Sequence, residues 1–162
     1  MSIKEPLDRY GIYIPLTLFV IFTFLALARG GSDNWAQVVL TNALTYALGC
    51  QLISAGYMHI FRGNFVAEYI GWPKNSPFQY EVGLAGLGMG VIGVMCSWYE
   101  GEFQLAVIVV TTIFLWGAAI GHVHQMVKAQ NFHPGNAGYM FYWDIFMPPV
   151  LIILYCLAHK AS

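Results

Sequence analysis

Charge is what this sequence has least of: 9% of its 162 residues are Asp, Glu, Lys or Arg, against about 25% in ordinary soluble domains. The net charge is −1 and there is no basic run, which argues against nucleic acid or an anionic-lipid surface as a partner. Cysteine is sparse as well. Cys50, Cys96 and Cys156 each stand alone in an apolar segment without a CxxC pairing, so they read as small buried apolar residues and not as a redox or metal centre. HExxH and Glu-xx-His signatures are missing. No serine, threonine or cysteine has an adjacent base and orienting partner in sequence, so a hydrolase cannot be argued. Gly88-Met-Gly-Val-Ile-Gly93 spells GxGxxG, but it lies in an apolar span, with no strand before it and no acidic residue at the ribose distance. Met89, Met95, Met126, Met140 and Met147 are scattered as core filler.

What the chain has instead is apolar surface. Hydrophobic residues make up 58% and aromatics 16%, and the mean hydropathy is +0.60. The apolar residues fall into blocks long enough to cross a hydrocarbon core about 30 Å thick. Five spans are predicted, at residues 12–28, 35–61, 78–98, 103–127 and 139–158, giving an all-α, single-domain (1–162) multi-pass bundle in a cell (plasma) membrane. Ala26-Leu-Ala28 has the small-x-small form of a signal cleavage site, but the preceding run is long for a signal and reads as a span. Lys4, Arg9, Arg62, Lys74 and Lys128 fall on one side and Arg29 and Lys160 on the other, which predicts N-in, C-out. Trp35, Trp72, Trp98 and Trp143 lie at span ends, as in interfacial aromatic belts. Pro148-Pro149 predicts a kink or a local opening of the last helix's hydrogen-bond ladder.

Two features stand out against this background. The first is glycine: Gly83, Gly86, Gly90 and Gly93 line one face of the third span, and Gly86-xxx-Gly90 is a small-xxx-small motif that lets helix backbones approach closely. The third span is therefore expected to be the hub, with spans two to four as the core. Gly117 and Gly121 are expected to form a second packing face on span four, continued by His124. The second feature is a gathering of polar groups at the N-in ends of the spans: His59, Glu68, Glu81, His122, His124, Gln125, His133 and Asp144. Ionisable groups near a membrane are costly unless paired or hydrated, so these are site candidates. His122 and His124 lie about 200° apart around their helix and cannot both chelate one ion.

Four readings of this cluster stand. Imidazole and carboxylate from His59, Glu81 and His124, with Asp144 at the margin, would suit iron, zinc or manganese. Histidines on two spans would suit a haem. A pocket with histidine and carboxylate at its polar head would suit a quinone-like ligand. A purely structural hydrogen-bonded cluster tying the helix ends together is the fourth.

The segments Ser54-Ala-Gly-Tyr-Met-His59-Ile-Phe61, Ile70-Gly-Trp72, Ser76-Pro-Phe-Gln-Tyr-Glu81-Val-Gly, Gly117-Ala-Ala-Ile-Gly-His122 and Asn131-Phe-His-Pro-Gly-Asn-Ala-Gly138 together resemble an uncharacterised family of small bacterial and archaeal membrane proteins. More distantly, a histidine ending one span, a glycine-plus-glutamate start to the next and a polar end to a later span are similar to DoxX-like proteins. Those are four-helical and linked with quinone or thiol redox partners. That resemblance implies a shared polar site at His59, Glu81 and His122, although this chain has an extra span and no paired cysteines. The leading expectation is a membrane protein whose ligand site uses His59, Glu81, His122, His124, Gln125 and Asp144. The alternative is an accessory or assembly subunit, whose glycine faces pack within a larger membrane complex or homo-oligomer. The third is a small-solute transporter with its path along the Pro148-Pro149 break.

Overall fold

The computed structural model describes residues 11–30, 33–74 and 76–160, with Ser76 as backbone only. Lys4 and Arg9, two of the charges behind the orientation expected above, lie outside the described residues. Five helices are long and apolar enough to cross a membrane, and no strand occurs among the described residues. A single 3₁₀ turn, Gly11–Tyr13, leads into α1 (Ile14–Ala28). The second span, α2, runs over Trp35–Ile70. It is α-helical over Trp35–Asn42, π-helical over Ala43–Cys50 and α-helical again over Gln51–Ile70. Then follow α3 (Ser76–Met95), α4 (Glu102–Ala129), the single turn α5 (Pro134–Ala137) and α6 (Tyr139–Ala158).

The second span extends well past Phe61, where the sequence suggested an end. The residues after it, Arg62-Gly-Asn-Phe-Val-Ala-Glu-Tyr-Ile, are too polar to read as membrane-spanning, yet they continue the helix beyond a break at Arg62 (φ −131°, ψ 27°). Glu68 is thus on a helical tail and not in a loop. Gly71 ends that tail with φ +71°. Its N–H donates to Glu68 O (3.2 Å) and that of Trp72 to Ala67 O (2.9 Å), the paired bonds of a Schellman cap.

The second helix, and not the third, is the hub. Leu40, Leu44, Leu48 and Leu52 are buried at four-residue spacing along it and meet Val107, Ile108 and Leu115 of α4, Met147 and Leu151 of α6, and Met89 and Cys96 from the α3 side. The third helix is held almost wholly by α2. Gly49 and Gly56 of α2 stand against the α3 glycines: a Cβ on Gly56 would lie 2.7 Å from Gly83 O, and one on Gly90 would lie 2.7 Å from Ile53 N. Gly83 and Gly93 are similarly tight, whereas Gly86 is at ordinary contact distance. In lipid, where no hydrophobic force drives helices together, such close backbone contact supplies the dispersion that holds them. The expected close-packing glycine face is therefore real, and its partner is inside the same chain.

The other glycine face is not used in this way. A Cβ on Gly117 would meet nothing within 4 Å, and one on Gly121 would meet only the Trp72 ring, at 3.6 Å. The buried face of α4 is instead carried by Gln104, Val107, Ile108, Thr111, Leu115, Ala119 and His122. Helix α1 is peripheral: Pro15 alone of its residues is buried, and Phe22 stacks on Tyr46 of the π segment at 4.7 Å. Of the three cysteines, Cys96 is buried, Cys50 half-buried and Cys156 exposed on α6, so the buried reading fails for Cys156.

Helix α6 runs through both prolines. Pro149 lacks the N–H that would bond Ile145 O, and the indole of Trp116 on α4 donates to that carbonyl instead (3.4 Å). A neighbouring helix thereby satisfies a backbone group that lipid could not.

Candidate functional site

Antiparallel succession brings the Ile70, Ser76, Ala129 and Tyr139 helix ends to one end of the bundle, and there the polar residues divide into two groups. The first lies between α2 and α3. The Nδ1–H of His59 donates to Gln79 Oε1 at 2.6 Å, with Gln79 2% exposed. Gln79 reaches this position because it shares the stripe of Gly83, Gly86, Gly90 and Gly93 that faces α2. Gly63 makes room for it, since a Cβ there would lie 2.9 Å from Gln79 Cβ. Around the pair, at the helix break, is an open cavity of about 430 Å³ lined by His59, Ile60, Phe61, Arg62, Gly63, Asn64, Phe65 and Gln79. The Arg62 guanidinium sits 5.1 Å above the Phe65 ring, a cation–π distance.

The second group is closed. Asn136, fully buried, accepts from Trp72 Nε1 (2.8 Å) and from His122 Nδ1 (2.8 Å) on its Oδ1. Its Nδ2 donates to the carbonyl oxygens of His122 (3.3 Å) and Asn131 (2.9 Å). Asn131 in turn donates to Ile70 O (2.8 Å) and Gly71 O (3.1 Å) and accepts from His133 N (3.1 Å). Two amides from one short stretch thus tie the end of α2, the start of the α2–α3 connection and the flank of α4. On its other side, His122 Nε2 faces Asp144 Oδ2 at 3.8 Å. The rings of Trp72 and Phe141 flank the imidazole at 5.7 and 6.3 Å.

The residues expected around one site are therefore separated. Glu81 is exposed, because it lies two residues beyond Gln79, about 200° around α3 from the glycine stripe. His124 is exposed for the same reason: His122 occupies the buried face of α4. Gln125 is half-buried. The metal set His59, Glu81 and His124 does not assemble, and among the described residues no three His, Cys, Asp or Glu side chains converge as ligands. Trp72 is more than an interfacial anchor, since its indole N–H is committed to Asn136.

One family model matches over residues 10–162, that of a Family of unknown function (DUF6790). The chain belongs to that family. No curated protein and no solved structure matches it, so the DoxX-like resemblance finds no support there. In this DUF6790 chain the residues that sequence reasoning passed over are amides: Gln79, Asn131, Asn136 and, at the opposite end, Gln104. Carboxylates and histidines attract notice because they titrate, while a fully buried amide carries the same directional information without a charge. The signal lay in the Ser-Pro-Phe-Gln and Asn-Phe-His-Pro-Gly-Asn segments, whose polar residues open or precede apolar helices.

Proposed function

We propose that the cavity beside His59 and Gln79 binds a small amphipathic ligand of the quinone type at the membrane interface. The observation that carries this reading is the mixed lining of that cavity: imidazole, guanidinium and amide groups of His59, Arg62 and Asn64 beside the apolar faces of Ile60, Phe61 and Phe65. Ring carbonyls need donors, which the Asn64 amide supplies, and a flat ring needs apolar contact, which Ile60 and Phe61 supply. With Nδ1–H committed to Gln79, His59 presents Nε2 to a ligand hydroxyl or, when protonated, to a ligand carbonyl. Positive-inside reasoning supports placing this end in the cytoplasm, with Arg62, Lys74 and Lys128 around it. The accessory-subunit reading loses its main surface, because the α3 glycine face is occupied by α2.

The test is organic extraction and total metal analysis of protein purified gently from its native membrane, followed by titration with a short-chain quinone. The expected result is a stoichiometric extractable ligand, and binding lost in His59→Leu in protein that still folds, with a lower unfolding midpoint because the buried Gln79 amide loses its partner. A blank extract together with no saturable quinone binding would refute the reading. Stoichiometric metal without quinone would do the same.

A further inference from the structure

We propose that His122 and Asp144 together hold a single exchangeable proton inside the bundle, with Asn136 as the residue that positions it. This site is separate from the His59 cavity and shares no residue with it. The orientation of the Asn136 amide is fixed from both sides. Trp72 Nε1 can only donate, so the amide atom 2.8 Å from it is the oxygen. The other amide atom faces two carbonyl oxygens, at 3.3 and 2.9 Å, and is therefore the nitrogen. Since His122 Nδ1 lies 2.8 Å from that same amide oxygen, Nδ1 carries a hydrogen. In the neutral imidazole this leaves a lone pair on Nε2.

That lone pair is on the ring nitrogen that lies beside Asp144. The Nε2 to Oδ2 distance is 3.8 Å, and the two side chains are 11% and 6% exposed. A lone pair facing an ionised carboxylate in such surroundings is repulsive, and a buried charge without a partner is costly. One proton on the pair removes the conflict wherever it sits: on Oδ2, giving a neutral acid beside a neutral imidazole, or on Nε2, giving imidazolium beside carboxylate. Transfer between these two breaks one O–H bond and forms one N–H bond, and the pair stays neutral overall. At 3.8 Å the gap exceeds a direct hydrogen bond, and a small side-chain rotation would close it.

Among the described residues, the packed elements bring no other buried charged side chain to the pair. On α4 the other titratable side chains near it, His124 and Lys128, are exposed. On the α2 tail and its connection, Glu68 and Lys74 pair with each other at the surface (3.4 Å). From the α4–α5 connection comes His133, exposed and set under Gly71. Asp144 is the one charged residue of α6. The Trp72 and Phe141 rings close the flanks.

The test is nuclear magnetic resonance of the full chain, isotope-labelled at its histidine nitrogens, in lipid nanodiscs. His122→Gln assigns the signal. In the unmutated chain His122 is expected with Nδ1 protonated throughout, and its Nε2 environment changes as the shared proton is titrated away. A His122 signal showing Nε2–H with a bare Nδ1 would overturn the proposal, and that reading needs no variant to fold. In Asp144→Asn the two proton steps of the coupled pair are expected to collapse to the single step of one imidazole while Nδ1–H persists; two steps retained would count against a shared proton. Asn136→Leu is expected to shift the signal toward the Nε2–H form. If it leaves the tautomer as it was, Asn136 does not position the proton.

Discussion

Replacing Gly56 with alanine tests the central packing contact of the bundle. The added methyl would lie 2.7 Å from Gly83 O, 2.8 Å from Leu87 N and 3.2 Å from Leu87 Cα. All three are backbone atoms, so no side chain can swing aside. Favourable carbon contacts begin near ~3.5 Å, and α3 would have to retreat from α2 by roughly half an ångström or more, loosening every tight glycine contact along the seam. Overpacking of this kind costs about 1–3 kcal/mol. Gly88→Ala is the matched control, because Gly88 lies on the exposed side of α3 with nothing within 4 Å of the new methyl. Both variants gain the same helix propensity, about 0.5–1 kcal/mol, so the difference between them isolates the clash. In reversible unfolding by a denaturing detergent, followed by circular dichroism, Gly56→Ala should be less stable than Gly88→Ala by that 1–3 kcal/mol, about 5-fold to 150-fold in the folded ratio. Equal midpoints would refute the idea that α2 and α3 are held by glycine contact.

Asn136→Asp is nearly isosteric, yet it puts an acceptor where Nδ2 donates to the carbonyls of His122 and Asn131. It should cost about 2–4 kcal/mol in the same unfolding assay. Gly71→Ala would force a side chain into φ +71° with its Cβ 2.7 Å from His133 Cδ2, and the left-handed conformation alone costs about 1–2 kcal/mol; faster hydrogen exchange at the Trp72 amide, which closes the cap, is the readout. Gln104→Leu removes the partner of Gln37 (3.1 Å) and Thr41 (3.1 Å) at the opposite end. A double-mutant cycle with Gln37→Ala should give a coupling of about 0.6 kcal/mol, with about 1.7 kcal/mol as its upper end, and a coupling of zero would show the contact to be idle.

Much of the architecture was legible because membrane physics is coarse. Apolar runs long enough to cross lipid identify α1, α3, α4 and α6 to within a few residues, and the glycines of α3 announced close packing. What could not be read was the partner. Gly49, Gly56 and Gly63 recur every seven residues on α2, a stripe that falls among polar residues and is masked by them. The far end of α2 was lost for a related reason: past Arg62 the helix is amphipathic and tied down by Asn131, and local hydrophobicity says nothing of a cap delivered from about sixty residues away. The site was half legible. Histidines and carboxylates do gather at one end, but a shift of two residues on a helix sends a side chain to the opposite face. That shift separates His122 from His124 and Gln79 from Glu81.

The amide clasp has a consequence for how the protein is made. Synthesis runs from the N-terminus, so the carbonyls of Ile70 and Gly71, the indole of Trp72 and the imidazole of His122 are all in place before the two asparagines that satisfy them have left the ribosome. Until then a four-helix intermediate must keep those groups at the wet margin of the bilayer. Arrival of residues 131–136 is the step that lets this end of the bundle shut, and the fifth span, following directly, enters against a surface that has just become dry.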